Sequence, residues 1–192
     1  TGAHLGYGDD EYERGMLISL TGNHKKLSDD ETYEPVYEMA ISSTPNDPKI
    51  IGTYQAPDLP GEGEELTSLK NQHTIMAVGN GDMLVVDNGE NLEVGDYLIS
   101  SDVAGHAMLD KGEYEVSYIV ARVAEPVNWD EEQKTIEGRK VKRISVFFET
   151  FVINHKADKL EQDLHELKKE YEIIKADVKH IKNSLDLDAK SS

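Results

Sequence analysis

The chain has 192 residues, enough for one folded core with an appendage, and its formal net charge of −18 reflects 38 acidic against 20 basic residues. A charge of this sign and size repels nucleic acid and anionic membrane surfaces, so we expect neither as a partner. The lack of cysteine excludes disulfides and thiol chemistry, and no apolar run approaches the length of a membrane span.

The chain begins with an acidic, glycine-rich segment that has no periodicity. Residues 1–13 therefore predict an extended N-terminal arm. Because the first residue is Thr1 rather than Met and no signal peptide follows it, we expect a fragment or a processed product of a longer chain.

Residues 14–152 predict a β domain made of short strands. Eight apolar or alternating segments indicate these strands, at 16–20, 37–41, 50–54, 74–78, 83–86, 97–100, 115–123 and 141–152. Residues 21–23, Asn80-Gly81 and Asn88-Gly89 predict turns, and residues 57–66 predict a loop rich in Pro, Gly and acid. Strands of this length and spacing are typical of a sandwich or a distorted barrel.

The last forty residues carry the clearest pattern of the chain. Apolar residues recur at alternating intervals of four and three, which defines the a and d positions of a heptad repeat. The a positions are Ala157, Leu164, Tyr171, Val178 and Leu185, and the d positions are Ile153, Leu160, Leu167, Ile174 and Ile181. We predict a helix over 153–185, capped near Asn154, and a disordered tail over 186–192. The predicted class is α+β: a mainly β domain followed by a long C-terminal helix that forms a parallel coiled coil.

Charged residues beside this seam predict how the helix associates. In a parallel neighbour each g residue meets the e residue five positions on, and all four such pairs have opposite sign. The pairs are Lys156 with Glu161, Asp163 with Lys168, Glu170 with Lys175, and Asp177 with Lys182. Leu or Val at a with mostly Ile at d favours three or more strands, so we predict a parallel homotrimer and leave a tetramer open. The alternative is an amphipathic helix docked on its own domain.

A motif between Asn91 and Met108 resembles a known family. The sequence Val94-Gly95-Asp96-Tyr97-Leu98-Ile99-Ser100-Ser101-Asp102-Val103-Ala104-Gly105-His106-Ala107-Met108 resembles the "VGD-x-L-x-(S/T)-S-D-x-x-G-x-A-M" segment near the ends of bacteriophage tail-fibre and appendage proteins. Residues 14–20, 50–52 and 119–123 stand in the order that this family shows. The chain is therefore similar to the C-terminal intramolecular chaperone domains of phage neck-appendage proteins and tail spikes. Gly95 suits a turn, Gly105 suits a site closed to a Cβ, and His106 suits a turn or packing role.

This resemblance implies a function in assembly. Such domains trimerise and help a β-helical shaft fold, so the implied partners are copies of this chain and the shaft of its parent fibre. The implied location is the virion, or the host cytoplasm during virion assembly. The sequence leaves open whether the segment is discarded by autoproteolysis or retained as a tip that binds a host receptor.

The resemblance also implies a site for self-cleavage, which would make the chain a single-turnover autoproteolytic endopeptidase. The family uses an Asp and a Glu in a "G-A-D-Y-A-E"-like motif, but residues 2–7 carry His4 and Tyr7 in those places. A shifted register makes Asp10 and Glu13 the catalytic candidates. Two carboxylates at this spacing could perform acid–base chemistry if one of them were desolvated. The alternative is a solvated acidic loop, and the question of enzyme activity stays open.

No pattern in the sequence indicates a cofactor or a metal. The seven histidines do not show the spacing of a zinc site, and the acidic run from Asp9 to Glu13 lacks the glycine of a calcium loop. Trp129, the one tryptophan, is expected to anchor the core or a subunit contact, with a carbohydrate contact as the alternative.

Overall fold

The computed structural model describes residues 2–26, 35–57, 71–149, 152–153 and 155–188, and in the C-terminal helix it describes the side chains from 164 to 181. The chain divides into two units, one that holds all the strands and one that holds the helix together with Tyr114–Val116. The prediction of a mainly β domain with a C-terminal helix is confirmed. The loop was predicted over 57–66, but Pro57 ends a strand; residues 58–66 of that loop and the cap at Asn154 lie outside the described residues.

The first five strands form a closed barrel. They are β1 (Ala3–Tyr7), β2 (Leu17–Lys26), β3 (Pro35–Ile41), β4 (Ile50–Pro57) and β5 (Gln72–Met76). Their order is β1-β3-β2-β4-β5, and antiparallel pairing of β1 with β5 closes the ring. Apolar side chains that alternate inward fill the barrel because successive residues of a strand point to opposite faces. Ile18, Met39, Tyr54 and Ile75 form this core.

Two predictions for this barrel are wrong. The predicted N-terminal arm contains β1, whose Gly6 fits against Ile75 and Met39, where any Cβ would lie 2.8 Å from both side chains. A glycine in that place removes the alternation that would have revealed the strand. The predicted turn at 21–23 is a bulge inside β2, where Gly22 has a φ of +101° and the register shifts between Leu20 and His24.

The other strands follow in chain order. They are β6 (Gly79–Val86), β7 (Tyr97–Ser100), β8 (Ala107–Leu109), β9 (Ser117–Tyr118), β10 (Ala121–Val123), β11 (Thr135–Ile136), β12 (Arg139–Phe148) and β13 (Val152–Ile153). Because β10 pairs with both β7 and β12, the strands β10, β7, β8, β6 and β12 form a second closed ring, with β11 beside β12. The strands β9 and β13 pair with each other.

The second ring has the larger core, and its details correct two further predictions. Buried side chains such as Met83, Val85, Leu98 and Ile144 fill it. Asn80-Gly81, predicted as a turn, lies within β6, because Gly81 is needed to accommodate the ring of Phe148 rather than to reverse the chain. The segment 115–123 is not one strand but two, β9 and β10. The strands β8 and β11 are too short to show a period in the sequence.

The C-terminal helix α1 spans His155–Asp188, close to the predicted range. Val152 and Ile153 pair with Tyr118 and Ser117 as strand β13, so the predicted seam position Ile153 lies in a strand rather than in the helix. The helix also continues through residues 186–188, which were predicted to belong to the tail. Residues 189–192 lie outside the described part of the chain.

Candidate functional site: the joint between the two closed sheets

Three backbone groups form a ring of hydrogen bonds where the two sheets meet. The N–H of Leu17 donates to the carbonyl of Gly105 at 2.8 Å, and the N–H of Gly105 donates to the carbonyl of Ser42 at 2.7 Å. The N–H of Ser42 then donates to the carbonyl of Leu17 at 3.0 Å. Leu17 and Ser42 belong to the barrel, whereas Gly105 belongs to the loop between β7 and β8. The ring therefore satisfies three buried donors while it ties the sheets together.

Gly105 can occupy this place only because it lacks a side chain. Its φ is +73°, and a Cβ would lie 2.8 Å from Cγ and 3.1 Å from Cβ of Met16. The expectation that Gly105 fills a site closed to a Cβ is confirmed. Gly95, with a φ of +98° and open space around it, occupies a turn as predicted.

A second glycine, Gly15, connects the sheets from the segment that leads into β2. The N–H of Gly15 donates to the carbonyl of Tyr54 in β4, and the carbonyl of Gly15 accepts from the N–H of Leu84 in β6, both at 2.9 Å. The hydroxyl of Thr53 adds a bond to the carbonyl of Asp82 at 3.1 Å. Backbone hydrogen bonds therefore connect the sheets at two separate places.

The loop between β3 and β4 supplies a buried polar connection around Asp47. One carboxylate oxygen of Asp47 accepts from the hydroxyl of Ser19 at 2.6 Å, and the other accepts from the N–H of Lys49 at 2.9 Å. Ser100 of β7 accepts from the N–H of Asp47 at 2.7 Å and donates to the carbonyl of Thr44 at 2.8 Å. Because Asp47 is buried and both oxygens are satisfied, we assign it a structural role.

A largely apolar groove of about 470 Å³ opens beside this joint. Residues of β4, of the segment between β9 and β10, and of the end of β12 line it, including Ile50, Ile51, Gly52, Ile119, Val120 and Phe148. Its volume lies within the range of small-molecule sites. Its polar members are Asp47, which is fully bonded, and groups such as His4 and Glu149, the latter paired with Arg122.

The segments that carry the family resemblance converge on this joint and groove. Residues 14–20 provide Gly15 and Leu17, and the motif at 91–108 provides Ser100 and Gly105. Residues 50–52 line the groove, and so do Ile119 and Val120 of the segment 119–123. The motif residues thus hold the two sheets together. This structural role explains their spacing without a catalytic function.

The candidate catalytic pair, Asp10 and Glu13, is not brought into a desolvated site. Both side chains are exposed, and Glu13 lies 3.8 Å from Nζ of Lys134. Neither carboxylate therefore has the environment that acid–base chemistry requires, and the assignment of Asp10 and Glu13 stays a prediction.

The acidic segment instead crosses the barrel as a strap that spans residues 8–13. Tyr12 stacks on Tyr54 with ring centroids 5.2 Å apart and meets the edge of His73 at 5.0 Å. Burial, followed by the nearby charge of Asp10, raises the pKa of Tyr12 to about 12. Nε2 of His73 lies 3.2 Å from the carbonyl oxygen of Gly8. The strap is thus held by an aromatic cluster, with its acids facing solvent.

Trp129 lies in the core of the second ring, which confirms its predicted role as an anchor. It is buried, and its indole N–H donates to the carbonyl of Glu90 at 2.8 Å. The predicted packing role of His106 is also confirmed, because the ring is buried and Nδ1 lies 2.7 Å from the carbonyl oxygen of Ala104.

The helix presents an apolar stripe on which no described side chain packs. Every residue from 164 to 181 is exposed, including the predicted seam residues Leu164, Leu167, Tyr171, Ile174, Val178 and Ile181. Of the charged seam neighbours, Lys168, Glu170, Lys175 and Asp177 lie in this range. Lys175 pairs with Glu172 of its own helix at 3.1 Å. The side chains of Lys156, Leu160, Glu161, Asp163, Lys182 and Leu185 lie outside the described part.

No group of three or more His, Asp or Glu residues in the described part of the chain is arranged to hold a metal ion. Among the described residues, no helix combines the length and the apolar character needed to cross a bilayer. In comparisons with known proteins, no family model matches the chain, and neither a curated protein nor a solved structure matches it.

The polar residues of the β3–β4 loop that connect the two sheets were not identified from the sequence. Nothing in the composition marked the half-buried Asn46 and the buried Asp47 as residues that connect the sheets, although Asn46 also accepts from the N–H of Tyr118 at 2.7 Å. The available signal is an Asn-Asp pair set between Pro45 and Pro48, since a rigid loop of this kind can present short polar side chains inward.

Proposed function

We propose that this chain is a trimerising assembly module, the C-terminal intramolecular chaperone of a bacteriophage tail fibre or appendage. It acts in the virion or in the host cytoplasm during virion assembly. Its partners are two further copies of the same chain, arranged in parallel, and the shaft of the parent fibre. The sequence motif supports the family, and the exposed stripe of the helix supports the association.

The observation that carries the proposal is the unpartnered a/d stripe of α1. Six seam residues between 164 and 181 are exposed, although each large apolar side chain gains about 1.5–3 kcal/mol when it is fully buried. Association through this stripe would bury them together. The balanced charges beside the stripe support parallel copies, because each g residue then faces an e residue of opposite sign.

The mechanism is an increase of effective concentration. A parallel coil holds three chain ends together, so that the first contacts between three shaft segments become effectively intramolecular. Nucleation of an intertwined shaft is limited by the entropy of bringing chains together, and the coil removes much of that cost. The proposed chaperone therefore needs no energy source and no active site.

Two adjacent isoleucines provide the test, because they differ in little except their place on the helix. Ile174 occupies a d position and is 60% exposed, whereas Ile173 occupies a c position outside the seam and is 63% exposed. We expect Ile174→Lys to sediment as a monomer of 21.5 kDa at micromolar concentration. A lysine at this d position would place three charges, one from each chain, in a single layer of the trimer seam, which is costly when they are buried.

The control is Ile173→Lys, which should sediment at three times the monomer mass, as the unmodified chain should. Both substitutions exchange the same residue types in the same helix, so a difference between them reports the seam and not helix propensity. A monomeric unmodified chain, or equal sedimentation of the two variants, would contradict the proposal.

A further experiment separates a discarded chaperone from a retained tip. Mass spectrometry of mature virions should find this segment absent if it is removed after assembly, and present if it stays as a tip that contacts a host receptor. Binding to host cells would then support the second role.

A further inference from the structure

His106 is a buried titratable group in the loop that connects the two sheets. Its side chain is 2% exposed, and Nδ1 lies 2.7 Å from the carbonyl oxygen of Ala104 in the same loop. Within the described residues Nε2 is buried and has no hydrogen-bond partner. The neutral imidazole fits this place, with a proton on Nδ1 and an unprotonated, buried Nε2.

The charges around His106 offer little compensation for a second proton. Lys134 precedes β11 and Arg139 lies in β12, and both are cations whose fields oppose protonation. Glu13 is the carboxylate that favours protonation of His106, and it also lies 3.8 Å from Lys134. Asp102 of the same loop is paired with Arg139 at 2.6 Å. An imidazolium at this site would be buried, surrounded by two cations, and without an acceptor on Nε2.

Chain connectivity links this site to the joint. Gly105, which precedes His106, bonds to Leu17 and Ser42 of the barrel, and the carbonyl of His106 accepts from the N–H of Ser101 at 3.0 Å. The hydroxyl of Ser101 donates to the same carbonyl at 2.8 Å. The loop 101–106 is therefore a single hydrogen-bonded unit, so that a change at His106 acts on the same loop that carries the bonds of Gly105 to the barrel.

We infer that His106 is a proton-sensitive latch, and that mild acidification releases the loop 101–106 from the barrel and opens one of the two backbone connections between the closed sheets. The direction of the pH dependence follows from the cost of the imidazolium, which is higher in the folded state than in the unfolded state. Burial, as the largest cause, lowers the pKa of His106 from its ordinary value of 6.5 in the folded protein. Stability is therefore complete above pH 6.5 and is lost as the pH falls toward the lowered folded pKa.

The test compares urea unfolding at pH 7.5 and pH 5.5, followed by the fluorescence of Trp129, the one tryptophan of the chain, which is buried in the second ring. Because the pKa of His106 is lowered only in the folded protein, the unfolding constant of the unmodified protein should rise across this interval, by at most about tenfold for one histidine. His106→Asn keeps a donor for the Ala104 carbonyl but cannot be protonated. Its unfolding constant should change less than about twofold across the same interval.

His24→Asn is the matched control, because His24 is exposed on β2 and its replacement should leave the rise in the unfolding constant intact. An unchanged pH dependence in His106→Asn, or no pH dependence in the unmodified protein, would overturn the inference. If His106→Asn does not fold, hydrogen exchange of the unmodified protein at the two pH values tests the inference instead. Amides of Leu17, Ser42 and Gly105 should lose more protection at pH 5.5 than the paired amide of Val85, and a uniform loss would equally refute the latch.

Discussion

Gly105 and Gly95 belong to the same motif and both have positive φ angles, but different physical requirements explain them. At Gly95 the only requirement is the backbone conformation of a turn, since a Cβ would meet open space. At Gly105 the backbone conformation is joined by close contact with Met16, whose Cβ and Cγ lie too near the main chain to move aside. A comparison of substitutions at the two positions therefore distinguishes the cost of backbone strain from the cost of steric overlap.

We therefore expect Gly95→Ala to lower the free energy of unfolding by about 1–2 kcal/mol, the cost of a side chain in the left-handed region. Gly105→Ala should cost about 1–3 kcal/mol more, because overpacking adds to the same backbone strain. Urea denaturation of both variants measures the difference. Equal losses would show that Met16 and its neighbours can relax, and that the joint is less tightly packed than the distances indicate.

The structural role of the strap formed by residues 8–13 could not be predicted from the sequence. Its acids suggested either a catalytic pair or a solvated loop, whereas its structural content lies in Tyr12, the residue between them. The ring of Tyr12 covers the barrel core through Tyr54 and His73, and its hydroxyl lies 3.5 Å from the carbonyl of Met39. Since that bond is long, the ring and not the hydroxyl should hold the strap.

Replacement of Tyr12 tests this assignment. Tyr12→Ala should lower the free energy of unfolding by about 2 kcal/mol, because a partly buried aromatic contact is lost. Tyr12→Phe keeps the ring and should stay within about 0.5 kcal/mol of the unmodified protein, since a 3.5 Å hydrogen bond contributes little. Denaturation followed by circular dichroism gives both values. A large loss in Tyr12→Phe would transfer the role to the hydroxyl.

The elements that could be predicted are those whose signal is local. The heptad pattern gave the helix to within a few residues, and the apolar runs around Met83 and Ile144 gave β6 and β12. What could not be predicted depends on partners distant in the chain. The ring of Leu17, Ser42 and Gly105 exists only after folding, and its one sequence signal was the glycine. The strand β1 was hidden because Gly6 interrupts its pattern.

Charge is distributed unevenly over the whole molecule. Residues 153–192 hold eight lysines against nine acidic residues, so that nearly all of the net charge of −18 belongs to the preceding 152 residues. In the proposed trimer three strongly acidic β domains would be joined through a nearly neutral helix. Repulsion between the β domains should then exceed the attraction of the ion pairs beside the seam, each of which contributes only about 0.2–0.5 kcal/mol.

Association of the full chain should therefore strengthen as sodium chloride is raised from low to physiological concentration, because salt screens the repulsion. Sedimentation at several protein concentrations gives the association constant at each salt level. A peptide of residues 153–192, which carries little net charge, serves as the comparison and should respond weakly or in the opposite direction. Weaker association of the full chain in salt would indicate that ion pairs dominate.

The closure of both sheets has a consequence for the proposed trimer. Every described strand longer than three residues has a hydrogen-bonded neighbour on each side. Unpaired edge strands allow β proteins at high concentration to swap segments or to aggregate. Three such domains can therefore be confined side by side, at very high local density, and each still completes its own fold without borrowing a strand from the next.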